Sequence, residues 1–275
     1  MRKLISADFC RLRRDKAFWI GTLAMLAFTV ALMLVGGQVA LKDSSEFQYA
    51  LDDDYFCYAI PIGLPIAVYV SLFLGTEYSD GTIRNKLVVG HTRRDIYLSH
   101  LFTNIVGGLS MLLASLLGGL VGIPFLGTWK MGKMVLVFLL ISVLFIISYV
   151  AIFTLIGMLC SNKAISAVLT ILLFLGLMCF AMYLYSRLSE PEMINGLIIT
   201  QEGMQMGDPS PNPRYLTGIK REIYQFVIDF LPTGQCGQMR ELNVLHPVRM
   251  MVSSIVIAIV TTLGGIFTFE RKDLK

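Results

Sequence analysis

The side chains of this chain that could do chemistry are few. The densest group of them is one stretch, Glu77-Tyr78-Ser79-Asp80-Gly81-Thr82-Ile83-Arg84-Asn85-Lys86-Leu87-Val88-Val89-Gly90-His91-Thr92-Arg93-Arg94-Asp95. Its mixed charges suit ion pairing and hydrogen bonding with a protein surface rather than bond cleavage. Asp80 can N-cap a short helix with Ile83 and Leu87 one turn apart on one face. Gly90 suits the position just past its C-terminus, and Thr92 with Asp95 has the spacing of a capping box for the next helix. Such a helix is either a docking surface or a well-capped connector, and the residues alone leave both open. The remaining reactive types are scattered. His91, His100 and His246 sit in separate segments, which speaks against a metal site, and the five cysteines show no C-x-x-C spacing. H-E-x-x-H, G-x-S-x-G and the G-x-x-x-x-G-K-[ST] phosphate loop are all absent from the sequence. The chain therefore reads as a non-enzyme. If it moves anything uphill, the energy comes from another subunit.

The elements around this stretch are long and apolar. Hydrophobic residues make up 55% of the 275, charged residues 15%, and the mean hydropathy is +0.69, which excludes disorder and an ordinary soluble domain. A net charge of +4, spread along the chain, does not describe a nucleic-acid binder. Six runs, 17–41, 55–76, 96–129, 134–160, 164–186 and 250–269, carry no Asp, Glu, Lys or Arg. Each is long enough to cross a ~30 Å hydrocarbon core as a helix. The prediction is an all-α integral membrane protein with six transmembrane helices forming a single domain. Basic residues sort by side: the N-terminal segment, the 77–95 loop, Lys163 and the tail hold 14 basic and 7 acidic residues, and the remaining segments 9 and 12. Both termini are thus expected in the cytoplasm.

Residues 1–16 read as an interfacial amphipathic helix, with Ile5, Phe9 and Leu12 on one side and basic residues around the rest. Pro61 and Pro65 should kink or loosen the second span, either as the wall of a translocation path or as a tolerated membrane kink. Ser110, Ala114, Gly118 and Gly122 recur every four residues and permit close helix contact, more simply within one subunit than between two. The segment 187–249 is expected outside. Asp208-Pro209-Ser210-Pro211-Asn212-Pro213 breaks regular structure there, and Ile223, Phe226, Val227, Phe230 and Leu231 form a helical stripe. Cys57 and Cys236 are the two cysteines that could face outside together, so a disulfide between them stays open. The spans hold no ionisable group for binding a coupling ion, which argues against an ion-driven carrier without disproving one. A structural or assembly subunit of a membrane complex is a second rival.

Glu77-x-x-x-Gly81-Thr82-Ile83-x-x-x-Leu87, followed by Thr92-Arg93-Arg94, resembles the cytoplasmic loop of ABC-2 type permeases, the membrane subunits of ATP-binding-cassette exporters. The basic N-terminus, the span order, the Phe230-Leu231-Pro232-Thr233-Gly234-Gln235 stretch and the terminal Phe269-Glu270-Arg271-Lys272 are similar to that family too. Many relatives carry a Pro where this chain has Gly90-His91. The resemblance implies a coupling helix pressed into an ATPase, formed by Glu77, Gly81, Thr82, Arg84, Asn85 and Leu87 and flanked by Arg93 and Arg94. It recruits Phe9, Arg11, Leu12 and Arg13 of the N-terminal helix to the same contact. It implies two copies of a separate ABC ATPase that uses ATP and Mg, with no cofactor bound by this chain. A second permease copy forming a homodimer and a multi-pass place in the bacterial cytoplasmic membrane are implied as well. The small size resembles permeases for bacteriocins, lantibiotic immunity and phenol-soluble modulins, and suggests an amphipathic peptide cargo. The same likeness suggests short helices of 187–249 packed on, or dipping into, the outer leaflet as an exit gate, while the residues alone fit a simple cap over the helix ends as well.

Overall fold

The structure, a computed structural model, describes residues 1–42, 51–126, 131–200 and 203–273, without the side chains of 40–42, 53 and 195–208. Asp43 and Glu46 of the expected first loop, Trp129 and Lys130 at the end of the third run, and Leu274 and Lys275 lie outside the described residues. A short helix α1 (Arg2–Leu12) is followed by α2 (Lys16–Lys42), α3 (Leu51–Tyr55), α4 (Gly63–Ser79), α5 (Thr82–Val88), α6 (Arg93–Gly119) and α7 (Ile123–Leu126). Then come α8 (Met134–Leu159), α9 (Lys163–Leu188), a hairpin of β1 (Met193–Thr200) and β2 (Gly203–Pro211), α10 (Gly218–Phe230), α11 (Pro232–Arg240) and α12 (Pro247–Arg271).

Among the described residues, five helices are long and apolar enough to cross a membrane: Lys16–Val39, Arg93–Leu126, Met134–Leu159, Lys163–Leu188 and Pro247–Arg271. The second expected span, 55–76, is divided. A 3₁₀ turn over Phe56–Ala59 leads through Ile60–Ile62 into α4, whose 17 residues reach only ~26 Å. Proline has no N–H and cannot continue a helix across Pro61. Pro65 does not kink α4, because it falls in the first turn, where its missing N–H would have had no helical partner.

α8 runs through the middle, packed against α4, α6, α9 and α12, while α2 lies against α4 and α6. The buried aromatic core includes Phe56, Tyr58, Phe138, Phe145, Tyr149 and Phe153. Small polar groups bind the helices where backbone is already satisfied. Tyr69 donates to Asn104 Oδ1 at 3.2 Å, Asn104 Nδ2 donates to Thr154 Oγ1 at 3.0 Å, and Tyr58 shares a 2.7 Å bond with Ser142. The small-residue stripe of the third span serves this packing inside one subunit. At Gly118 a Cβ would collide with Thr29 Oγ1 and stand 3.0 Å from the Leu26 carbonyl, so glycine sets the approach of α2 to α6.

The described residues are overwhelmingly helical, consistent with an all-α membrane protein, and one short hairpin stands beside the helices. β1 and β2 pair antiparallel, with Asn195 opposite Pro209 and Met193 opposite Pro211 and an irregularity between Asn195 and Leu197. The break expected at Asp208–Pro213 therefore comes only at Asn212. A two-stranded ribbon has free edges, where a proline costs no ladder bond. Cys236 is a free thiol 3.6 Å from the Tyr149 hydroxyl, so no Cys57–Cys236 bridge forms.

Replacing Gly118 by Val should overpack the α2–α6 contact and cost about 1–3 kcal/mol. The expected readout is a lower thermal unfolding midpoint of the purified protein in detergent.

Candidate functional site

α1, α5, the start of α6 and the end of α12 meet at one end of the molecule. There the chain buries charge. On α1 the inward face is Leu4, Asp8 and Leu12, spaced four apart, while Ile5 and Phe9 are half-buried. The apolar face expected from Ile5, Phe9 and Leu12 is thus rotated, and a carboxylate sits in its centre. Asp8 Oδ1 accepts from Lys86 Nζ of α5 at 2.8 Å, and Oδ2 from Ser99 Oγ of α6 at 2.5 Å. Glu77, fully buried in the last turn of α4, lies 3.2 Å from the same ammonium. His100 Nε2 stands 3.3 Å from it on a third side. Arg11 pairs with Glu77 and lies over the Phe73 ring at 5.4 Å. Two carboxylates and two cations therefore balance, and they join α1, α4, α5 and α6.

Burial pushes the Asp8 carboxyl up, but His100, Lys86 and Ser99 outweigh it and hold the group below its usual value of 3.8. Its contribution to stability is complete above that value and is lost as pH falls through the lowered one. Burial lowers Lys86, and its bond with Asp8 partly restores it. The ligand atoms of Asp8, Glu77 and His100 lie within 4.8 Å of one another, a spacing that could hold a metal ion. The Lys86 ammonium stands among them, so the protein supplies this site's cation itself.

The expected contact residues divide into two sets. Ile83 is buried and Leu87 half-buried, while Thr82 donates to the Glu77 carbonyl at 3.0 Å and to its carboxylate. Gly81 starts α5 at φ +66, a left-handed conformation that glycine takes without strain. Asp80 does not cap α5, as expected of it, because it closes α4 instead. The outward face is Arg84, Asn85, Val88 and Val89, the last two 82% and 78% exposed. Two bonds end α5: Gly90 N–H to the Leu87 carbonyl at 2.9 Å and His91 N–H to the Lys86 carbonyl at 3.1 Å, with Gly90 at φ +98. Thr92 accepts from Asp95 N–H at 3.1 Å and starts α6.

Arg93 and Arg94 turn toward the last helix. Arg93 donates to the Phe269 carbonyl at 2.9 Å and to the Lys272 carbonyl, and Arg94 pairs with Glu270. Lys272 in turn donates to the Tyr78 hydroxyl and the Met158 carbonyl, both at 3.0 Å. The tail is thereby fastened to α4, α6 and α8. On α1, Phe9 meets Phe102 edge-on at 6.1 Å, and exposed Arg13 offers its carbonyl to Trp19 Nε1 at 2.9 Å.

Sequence reasoning missed Asp8, Lys86, Ser99 and His100 as one cluster, and Val88 and Val89 as its exposed tip. The Leu4-Asp8-Leu12 spacing was a usable signal for Asp8. Nothing in the spacing tells which residue of α5 faces it. Pro61 and Pro65 are both half-buried, Pro65 within the first turn of α4 and Pro61 before it, toward the end of the molecule away from the charge network. A groove of about 450 Å³ there reaches Ile60, beside Pro61, between α9 and α11.

A family model described as ABC-2 family transporter protein matches residues 4–184, well over half of the chain. The matched stretch holds every residue of the charge network and leaves β1, β2, α10, α11 and α12 outside it. No curated protein matches the chain.

Removing one member of a buried charge set strands the others, at a cost of about 3–5 kcal/mol. Lys86→Met should therefore lower the thermal midpoint sharply, and Asp8→Asn combined with Lys86→Met should recover part of the loss in a double-mutant comparison.

Proposed function

The chain belongs to the ABC-2 family of transporter proteins, as the multi-pass membrane component rather than the ATPase, and we propose that it is the permease half of an ATP-driven exporter. In this reading both termini and α5 face the cytoplasm of a bacterium, and α4 with the turn before it completes six crossings. Two copies of this chain form a homodimer and work with two copies of an ABC ATPase, which uses ATP and Mg.

The observation that carries the reading is the way α5 is mounted. Its outer face presents Arg84, Asn85 and two exposed valines, while its inner face is anchored through Ile83 and Lys86 to α1, α4 and α6. A push on Val88 and Val89 is transmitted to a set of charges that cannot separate cheaply out of water. α1 and the feet of two helices then move with α5, as transport driven from the cytoplasmic side requires. Glu77, Thr82 and Leu87 serve as the mount, and Arg84 and Asn85 as the contact. Arg93 and Arg94 carry the motion to α12, and Arg11 joins α1 to the mount.

The cargo we propose is an amphipathic peptide of the toxin or antimicrobial kind. The groove between α9 and α11 supports this, with Ile60, Met178, Ala181 and Met182 on its walls and Arg240 and Glu241 at its edge. An apolar wall with charges at one rim suits a chain with one apolar face better than a polar sugar.

The test is reconstitution of the permease with its ATPase in vesicles. Val88→Asp with Val89→Asp, or Arg84→Glu, should cut ATP-driven export of an amphipathic peptide by roughly tenfold or more, the scale of losing one well-placed interface contact. ATP hydrolysis by the ATPase alone should be unchanged. Export at the parent rate in these variants, or in one with Gly81 replaced, would overturn the coupling role of α5.

A further inference from the structure

α10 is turned with its apolar side outward. Ile219, Ile223, Phe226 and Phe230 recur along one face and are 75%, 54%, 52% and 36% exposed. The inward face is held by one buried carboxylate. Asp229 accepts from Gln225 and Gln238 at 2.9 Å, from His246 Nδ1 at 3.1 Å and from Arg249 at 3.2 Å. Gln235 adds bonds to the Asp229 and Met250 carbonyls, and Ser254 donates to Gln235. These contacts fix the rotation of α10 against α11 and α12, so the stripe cannot turn inward.

The depth of α10 follows from its neighbours on α9. Arg221 reaches the Leu188 carbonyl at the end of α9, Tyr224 bonds Tyr183, and Thr233, just past α10, reaches the Leu177 carbonyl. α10 therefore descends beside the last three turns of a membrane-spanning helix. Its tyrosine is level with Tyr183, where aromatic residues mark a bilayer boundary. Phe226 and Phe230 lie deeper, and the stripe continues onto the exposed Val248, Val252 and Val256 of α12. Where the two helices meet, a groove of about 570 Å³ is walled by Ile219, Ile223 and Phe226, with Glu222, His246 and Arg249 on its polar side.

We propose that this groove holds one phospholipid, its phosphate on Arg249 and His246 and an acyl chain along Phe226, Phe230 and Val252. Arg249 uses Nη1 on Asp229, keeps 41% of its side chain exposed and lies over Phe226 at 5.9 Å, so charge and apolar wall adjoin. A guanidinium fork is the side chain best matched to phosphate oxygens. His246 is 44% exposed and uses only Nδ1 on Asp229. The depth of the groove selects lipid over a soluble peptide, and Glu222 at the rim suits the amine of a zwitterionic headgroup. The site is independent of the cargo and of the coupling role of α5.

The experiment uses the full chain in nanodiscs doped with a phosphatidylethanolamine carrying a photoactivatable acyl chain, with crosslinks mapped by peptide mass spectrometry. Labelling of 219–230 and 246–252 should exceed that of the exposed α9 face by roughly tenfold, the range of one charge-assisted contact. Arg249→Gln keeps a donor for Asp229 and removes the charge, and should bring the ratio close to one. Ile223→Ser leaves the Asp229 contacts untouched and should reduce labelling several-fold, which keeps the test decisive if the first variant folds poorly. Equal labelling of groove and α9, persistence of the enrichment in Ile223→Ser, or a groove closed to lipid by a second copy of the chain would overturn the proposal.

Discussion

Moving Asp8, Glu77 and most of Lys86 out of water costs several kcal/mol per ion unless each finds a counter-charge, which half-buried Arg11 helps to supply. Among the described residues they find it in one another at this end of the protein. Lys86 reaches Asp8 at 2.8 Å and Glu77 at 3.2 Å, and Arg11 completes the second pair. The four residues come from three helices and the fifth partner, Ser99, from a fourth. The arrangement of α1, α4, α5 and α6 is therefore set by a condition that any one helix, displaced alone, would violate. A short helix of seven residues has little stability of its own. α5 is held in place by its buried charges rather than by its own backbone.

The opposite end obeys a similar rule with a different result. Asp229 is buried and takes donors from α10, α11 and α12 and from the residue before α12. There the buried carboxylate decides which side of a helix meets the surroundings, and the apolar stripe of α10 is left facing outward. At the basic end two acids, Asp8 and Glu77, hold Lys86 and so fix the rotation of α5, and at the other end Asp229 alone fixes that of α10. At the basic end this leaves Arg84, Asn85, Val88 and Val89 exposed. At the other it leaves Ile219, Ile223, Phe226 and Phe230 exposed.

Much of this was legible in the residues. Uncharged runs of twenty residues or more must be helical in a bilayer, where every backbone group needs a partner. Gly90 and Thr92 mark the end of α5 and the start of α6, because glycine alone takes the left-handed turn cheaply and a hydroxyl can cap a helix. The Glu77–Gly81–Thr82 pattern resembles the loop of the family to which the chain belongs. Asp80 misled because two helices compete for the same residue, and α4 closes on it. The hairpin misled because prolines usually end strands, and only pairing shows that these lie on a free edge.

By itself the sequence determined a membrane protein with long apolar helices, a sorted charge distribution and a capped polar loop. Composition and local backbone chemistry suffice for those. Tertiary structure alone decided that Asp8 meets Lys86 across 78 positions, that Arg93 serves the tail, and that α10 presents its apolar side outward. Each of these depends on which charges share a space without water. Nothing in a linear spacing reports that distance.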